Sequence, residues 1–405
     1  MRARAFQDWA QLEPQTVVST QIHRPLEHSH WLYAFGVWLY NWIQRTAPIL
    51  HQVYYNFLEI VPVVRTSKPL GAPKFHDVLL RTRPDVLLSV HDSLNHGFFE
   101  YAKVVLGEQV CCVTYCGELY GGYGFSRHWV NPAADLFIGA VPEASAAAVR
   151  WGMAPEKTVT GGFLLRRQFY GPAPDEAARR AYVRDQLQFD PDEFILLLSA
   201  SSRGAHNHVR FLEALQRHHP GLAVVLLCGK SPQSREEVEA WARSNPQARV
   251  RILAHNTNVA HVMRCVSAIV ARPGTGTISE AILSGCPLLL NCLGGVMPQE
   301  YITVKYCRQH GLAEEVRNPD YLVRLVGQWK RHPELPAAIR QAMKEACPPS
   351  HPREIVRTIA ALALKAQSGA ATALPIIEAA RIAPPAAPGA PGKIRPPQPA
   401  AADSP

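Results

Sequence analysis

The feature that most constrains this chain is a repeated pairing of short apolar runs with longer amphipathic segments. In the second half, runs rich in Val, Ile and Leu occur at residues 194–200, 223–228, 250–253, 268–271 and 287–291. Such runs predict buried parallel strands, and the segments between them predict helices. Similar runs extend the pattern into the first half, at 84–91, 110–115 and 134–140. The sequence therefore predicts an α/β protein with Rossmann-like sheets.

The length of 405 residues favours more than one domain. A polar, proline-containing stretch separates the two halves and predicts a linker with a helix inside it. Near its end, Asp190-Pro-Asp192 mimics a metal-binding D-x-D but precedes a strand, so it predicts a turn. The predicted divisions are an N-terminal domain at 1–165, a linker at 166–192, a second domain at 193–345, a helical segment at 346–368 and a disordered Ala/Pro-rich tail at 369–405.

The strongest chemical signal is Arg272-Pro-Gly-Thr-Gly-Thr-Ile-Ser-Glu-Ala281, which follows a predicted strand and begins a predicted helix. Gly274 and Gly276 let the backbone approach a ligand closely. The N–H groups at a helix start, together with the positive end of the helix dipole, favour a diphosphate. Thr277 and Glu280 also have the spacing of a capping box, which would only stabilise the helix. The neighbouring motifs favour the ligand-binding interpretation.

This stretch resembles the donor-binding motif of the family 28 glycosyltransferases, such as monogalactosyldiacylglycerol synthase and processive diacylglycerol glucosyltransferase. Their motif is a G-x-G-T-x-x-E-A helix start, then a strand, then a Gln-Glu or Gln-Gln pair. The resemblance implies a GT-B fold, in which two Rossmann-like domains face a cleft. It implies that Glu280 holds the nucleotide ribose and that Gln299 and Glu300 hold the sugar hydroxyls. The donor-binding residues implied here are Gly274, Thr275, Gly276, Thr277, Glu280, Gln299 and Glu300.

Two upstream loops extend the resemblance. Asn258 and Val259 fall where the family packs a loop against uracil, although a plain surface loop also fits. Ser201, Ser202 and Gly204 occupy the first strand-to-helix turn, where the family has a run of glycines under the donor phosphates. Hydroxyl groups can still contact phosphate, and the alternative is a polar turn that caps the helix.

The N-terminal half resembles the family's acceptor domain more loosely. The family begins with a strand, a glycine-rich loop carrying the histidine that usually serves as base, and a helix. Met1–Ala10 resembles that helix and Thr16–Ser19 the following strand, with no glycine before Gly36. This predicts a truncated or mis-started chain that lacks the loop. The alternative is a complete variant that uses His91 or Glu118 as base, although His91 also suits a helix cap.

One loop of this half departs from the family. Gly117-Glu-Leu-Tyr-Gly-Gly-Tyr-Gly-Phe125 is longer than the corresponding family loop and contains four glycines. The Gly-x-Pro that is common in the family is replaced by Gly162-Phe-Leu-Leu165. The resemblance covers about residues 1–365, with specific motifs only from 254 to 300.

An aromatic stripe lies near the N-terminus. Trp31, Phe35, Trp38 and Trp42 recur on one face of a predicted helix. A core-facing stripe is one interpretation, and an interfacial helix is the other. The net charge of +9 suits an anionic membrane surface. Because the resemblance implies a lipid acceptor, we favour membrane contact.

Together these features predict a hexosyltransferase that moves a sugar from UDP-hexose to a membrane lipid, diacylglycerol. The resemblance implies inversion, and we expect no metal and no cofactor. Nine cysteines without a C-x-x-C pair, and a start without an apolar signal region, predict a cytoplasmic protein held peripherally on the membrane's cytoplasmic face. No nucleic-acid motif is present. A sugar-nucleotide epimerase and a catalytically impaired nucleotide-sugar or lipid binder are the alternatives.

Overall fold

The computed structural model describes residues 1–14, 19–24, 31, 35–36, 38–39, 42, 71–199, 207–229, 231–253 and 257–368. The predicted strand at 16–19, the serine-rich turn at 200–206 and the tail at 369–405 lie wholly or mostly outside this range. The described helices are α1 Arg2–Ala10, α2 Ala72–Thr82, α3 Phe98–Leu106, α4 Pro142–Arg150, α5 Glu176–Tyr182, α6 His208–His218, α7 Pro232–Ser244, α8 Val259–Cys265, α9 Thr275–Ser284, α10 Pro298–Gln309, α11 Pro319–Arg331, α12 Glu334–Ala346 and α13 Pro352–Ser368.

The N-terminal half contains a four-stranded parallel sheet in the order β1-β2-β3-β4. Its strands are β1 Val86–Ser89, β2 Cys111–Cys116, β3 Leu136–Gly139 and β4 Thr158–Thr160. Every residue of β2 and β3 is buried, because helices cover both faces of a parallel sheet. The strands predicted from apolar runs in this half are confirmed, with ends that differ by one or two residues.

The C-terminal half contains a six-stranded parallel sheet in the order β10-β9-β8-β5-β6-β7. Its strands are β5 Ile195–Ser199, β6 Ala223–Leu227, β7 Val250–Ile252, β8 Ala268–Ala271, β9 Leu288–Asn291 and β10 Ala313–Val316. The strands β5, β6 and β7 follow one another toward one edge of the sheet, and β8, β9 and β10 follow one another toward the other edge. The strand order therefore reverses between β5 and β8, which pair directly and in parallel. Ligands of open α/β sheets bind beyond the carboxyl ends of the strands at such a reversal. The predicted donor motif directly follows β8, so the topology places it at this crevice.

The last helix returns from the C-terminal half to the N-terminal sheet. Ile355 of α13 packs where a side chain on Gly161 would otherwise lie. Arg353 Nε donates to Glu13 Oε1 at 2.7 Å, and Trp9 Nε1 of α1 donates to the Leu165 carbonyl at 2.8 Å. A single hydrophobic cluster includes residues of both halves, so the two sheets share a core.

All nine cysteines are free, and eight of them are buried. Burial raises the pKa of thiols such as Cys265 and Cys292 to about 11, which keeps them protonated at neutral pH. The prediction of buried, unpaired thiols is confirmed. Among the described residues, no helix is both long enough and apolar enough to span a bilayer.

Candidate donor and acceptor site

Helix α9 begins at Thr275, with Gly274 as its N-cap. The first bond within the helix runs from Ile278 N–H to the Gly274 carbonyl at 3.1 Å, so the N–H groups before it have no partner inside the helix. In the part of the chain that the structure describes, no atom lies within 4 Å of the position that a Cβ on Gly274 would take. The helix start therefore opens onto space that suits an anion. Because the helix begins two residues before Thr277, the capping-box interpretation of Thr277 and Glu280 is wrong.

Glu280 lies in the second turn of α9, and only 9% of its surface is exposed. Burial raises the pKa of its carboxyl to about 7, while the charges of Arg2, Arg166 and the N-terminal amino group lower it. Gly276, one turn earlier, faces the Met1 side chain, whose sulfur would lie 3.4 Å from a Cβ there. The residue predicted to hold the ribose is therefore a buried carboxyl in a basic surrounding.

The guanidinium of Arg2 links this carboxyl to the N-terminal half. Its Nη1 donates to the Leu164 carbonyl at 3.2 Å, and its Nε would lie 3.0 Å from a Cβ on Gly117. The positive charge of Arg2 lowers the pKa of both Glu118 and Glu280, so it lies within electrostatic reach of both carboxyls. No sequence pattern indicated this arrangement.

Glu118 follows β2 at the carboxyl edge of the N-terminal sheet. Burial and the nearby charge of Asp92 raise its pKa to about 8, against the lowering effects of Arg2 and His91. Within the described part of the chain, Glu118 Oε2 and Arg2 Nη2 are both buried without a hydrogen-bond partner. Orphaned polar groups of this kind are uncommon in folded proteins. One orphan is a donor and the other is a carboxyl oxygen, which suits a ligand with groups of both kinds.

His91, the other candidate base, caps the short 3₁₀ turn Asp92–Leu94. Its Nδ1 lies 2.9 Å from Asp92 Oδ1 and 3.3 Å from the Ser93 backbone nitrogen. Burial lowers the pKa of His91, but the hydrogen bond and charge of Asp92 outweigh this and raise it. The capping interpretation is confirmed for His91. When the ring is protonated, Nδ1–H donates to Asp92 instead of accepting from Ser93, and imidazolium is a poorer base than neutral imidazole.

The predicted sugar-binding pair lies at the start of α10. Glu300 is 5% exposed, and its carboxylate accepts from Met297 N–H at 3.0 Å. Arg272, in the donor motif itself, pairs with the same carboxylate and donates to the Leu293 and Gly295 carbonyls at 3.2 and 3.0 Å. This ion pair ties the loop after β9 to the loop after β8. Gln299 is half-buried beside it. The structure thus places Gln299 and Glu300 against the donor motif. The ion pair between Arg272 and Glu300 was not predicted from the sequence.

The remaining predicted donor residues have less defined surroundings. Asn258 is the N-cap of α8, and its side-chain oxygen accepts from His261 N–H at 3.2 Å. Val259 is the first residue of that helix and is half-buried. Ser201, Ser202 and Gly204 lie outside the described residues. Their predicted phosphate contacts stay predictions.

The aromatic stripe is exposed. Trp31, Phe35, Trp38 and Trp42 are helical and between 46% and 69% exposed. Phe35 stacks on Trp38, and Trp38 stacks on Trp42, with ring centroids 5.7 and 6.5 Å apart. Four exposed aromatic side chains in one row do not fit the core-facing interpretation, which the structure contradicts for these residues.

Curated proteins similar to this chain include a diacylglycerol glucosyltransferase and a monogalactosyldiacylglycerol synthase. No protein-family model matches the chain. A processive diacylglycerol beta-glucosyltransferase of Bacillus cytotoxicus is 25% identical over 189 residues, which are 47% of each chain. Monogalactosyldiacylglycerol synthase 2 of Arabidopsis thaliana is 24% identical over 62% of this chain and 53% of its own. The chain spans about half the length of the curated relatives it matches.

Solved structures agree on the fold. MurG of Acinetobacter baumannii superposes with a TM-score of 0.52 at 18% identity, over 72% of this chain and 79% of its own. A UDP-N-acetylglucosamine 2-epimerase superposes with a TM-score of 0.53 at 16% identity, over 92% of this chain and 95% of its own. Both superpositions confirm the predicted fold class. The chain is similar in sequence to diacylglycerol glucosyltransferases and monogalactosyldiacylglycerol synthases, and it has the GT-B fold.

Proposed function

We propose that this protein transfers a hexose from a UDP-sugar to the hydroxyl group of a membrane lipid, diacylglycerol, with inversion and without a metal ion. The observation that carries the proposal is the position of Arg2, within reach of a buried carboxyl from each half of the molecule. Glu280 lies on the helix of the donor motif, and Glu118 lies at the carboxyl edge of the opposite sheet. The names of the curated relatives support both the sugar donor and the lipid acceptor.

In the proposed reaction the donor diphosphate lies at the N-terminus of α9. The carboxylate of Glu118 accepts the proton of the lipid hydroxyl, whose oxygen forms a bond to the anomeric carbon. The bond from that carbon to the β-phosphate oxygen breaks, and UDP leaves with the electron pair. The helix dipole and the Arg2 charge stabilise the negative charge that develops on the leaving group. Glu280 holds the ribose throughout.

Product analysis tests the proposal directly. The full chain is incubated with radiolabelled UDP-glucose, UDP-galactose or UDP-N-acetylglucosamine and with diacylglycerol vesicles. A labelled, lipid-extractable product supports the proposal. A changed sugar nucleotide without a lipid product would identify an epimerase instead, and UDP-sugar binding without turnover would identify an impaired binder.

UDP binding is expected to depend on pH through Glu280. The ionised carboxylate accepts two hydroxyl hydrogen bonds, whereas the protonated form loses one acceptor. Because the pKa of Glu280 is about 7, UDP affinity should rise as the pH increases from about 6 to about 8. Titration calorimetry across this range measures the effect. The phosphate of UDP also titrates, so Glu280→Gln is the control; an equal pH dependence in that variant would remove Glu280 from the site.

Membrane binding is expected to require the aromatic stripe and to weaken with salt. Replacing Trp31, Trp38 and Trp42 by serine removes exposed apolar surface, and binding to anionic liposomes should fall by at least about tenfold. Co-sedimentation measures the bound fraction, and added salt should lower it for the parent because the net charge is +9. Trp151→Ser is the matched control, since Trp151 is 53% exposed elsewhere on the molecule. If the triple variant sediments like the parent, the stripe does not contact lipid.

A further inference from the structure

The glycine-rich loop after β2 makes contacts that the proposed reaction leaves unused. Its residues Tyr120–Gly124 reach from the N-terminal half to α10 of the C-terminal half. Gly124 has a φ of +96°, and a Cβ there would lie 2.8 Å from the Pro298 carbonyl carbon, closer still to its oxygen, and 3.1 Å from Ile302 Cγ2. Only glycine fits this approach without displacing one of the two backbones.

Aromatic and charged contacts continue along the same face of α10. Tyr123 meets Tyr301 edge to face, with ring centroids 6.2 Å apart. Lys305 Nζ lies 4.5 Å from the centroid of the Tyr120 ring, a cation–π distance. The contacted residues of α10 are Pro298, Tyr301, Ile302 and Lys305, which follow helical i, i+3, i+4 and i+7 spacing. At the far end of the helix, His310 Nε2 lies 2.7 Å from Glu143 Oε1 of α4.

The contacted helix carries the predicted sugar-binding pair. Gln299 and Glu300 fall between Pro298 and Tyr301, so the loop contacts residues on both sides of the pair. The nucleotide is assigned to other elements, α9 and the start of α8. Tyr120, Tyr123 and Gly124 each contact α10.

We propose that the Tyr120–Gly124 loop is a specificity-determining element, which positions α10 and thereby sets recognition of the sugar part of the donor but not of its UDP part. The inference rests on the proposed function and deepens it. The loop belongs to the acceptor half, so it also makes the sugar pocket depend on how the two halves are docked. Displacements of about 1 Å at positioning residues cost on the order of a hundredfold in reaction rate.

The chain offers a matched pair of substitutions for the test. Gly122 has a φ of +92°, close to that of Gly124, but no atom of the described residues lies within 4 Å of its Cβ position. Alanine at either position therefore introduces similar backbone strain, whereas only Gly124→Ala forces the loop away from Pro298. The difference between the two variants isolates the contact with α10.

The experiment compares the affinities of UDP, UDP-glucose and UDP-galactose by titration calorimetry with the full chain. Gly124→Ala should change the ratio of UDP-hexose affinity to UDP affinity by about tenfold or more, with UDP affinity itself retained. Gly122→Ala should keep the parent's ratio. Tyr123→Ala, which removes the ring contact with Tyr301, should change the ratio in the same direction by about threefold to tenfold, and it serves as the test if Gly124→Ala does not fold.

The outcomes separate the two proposals. A parent chain that binds neither UDP nor any UDP-hexose overturns the proposed function. A parent that binds them, with equal ratios in folded Gly124→Ala and Gly122→Ala and in Tyr123→Ala, overturns the role of the loop and leaves the proposed function standing. Loss of UDP and UDP-hexose affinity in parallel in Gly124→Ala also overturns it, because the loop then affects the whole site.

Discussion

Replacing Glu280 with alanine is expected to weaken UDP binding by at least about a hundredfold. The reason is the loss of two charge-assisted hydrogen bonds to the ribose hydroxyls, each about 1.5–3 kcal/mol, where about 1.4 kcal/mol corresponds to tenfold. Glu280→Gln keeps one acceptor and should lose less. Titration calorimetry at about pH 8, where the carboxyl is ionised, measures both.

Stability distinguishes this loss from unfolding. The pKa of Glu280 rises on folding from its ordinary value of 4.5 to about 7. The folded chain therefore holds the extra proton across that window, and the stability contribution of this group falls as the pH rises through it. Alanine should consequently raise the thermal midpoint at pH 8 while it lowers affinity. Ser284→Ala, at the other end of α9, is the control that should leave UDP binding unchanged. Unchanged affinity in folded Glu280→Ala would end the ribose assignment.

Glu118→Gln is expected to lower kcat by about a hundredfold to ten-thousandfold, the usual contribution of a general base. Glutamine has nearly the same shape but cannot accept the proton, so UDP affinity should stay within about twofold. In the parent, kcat should rise with pH and level off above about 8, because the pKa of Glu118 is about 8. The variant should lose this dependence.

The control variants for Glu118 are chosen among the charged groups that shift its pKa. They are Asp92, Arg2 and His91, with Cys116 adjacent on β2. His91 lowers the pKa of Glu118, so His91→Gln should move the pH profile to higher values and leave the plateau of kcat largely intact. The opposite result, in which His91→Gln abolishes kcat and Glu118→Gln leaves it, would make His91 the base.

The sheets could be predicted from sequence because their strands are buried on both faces. A continuous apolar run such as that in β5 or β9 is visible without knowledge of its partners. The strand order and the crevice between β5 and β8 follow from the Rossmann resemblance. Interactions between distant parts of the chain left no such pattern. Arg272 pairs with Glu300, which lies 28 positions further along the chain. The Arg2 side chain of α1 lies against Gly117, which follows β2.

Sequence motifs singled out the residues of the candidate site but not their charge states. The donor motif located Glu280 and the Gln299–Glu300 pair, since each motif is local in sequence. That Glu280 is a buried carboxyl beside Arg2 depends on α1 packing against α9 and the N-terminal sheet. The sequence also left Glu118 and His91 equivalent as bases. Burial raises the pKa of the Glu118 carboxyl, whereas one nitrogen of His91 lies against Asp92 and the turn it caps.

Helix α13 has a mechanical consequence. The chain crosses between the halves twice, once through the segment that contains α5 and once where α13 returns to the N-terminal sheet. Each crossing ties the halves together at one point, so two crossings restrict their relative movement more than a single linker would. A movement that widened the space beside α10 would separate Gly124 from Pro298 and Tyr123 from Tyr301. The Tyr120–Gly124 loop is therefore a third attachment between the halves, and it is a non-covalent one.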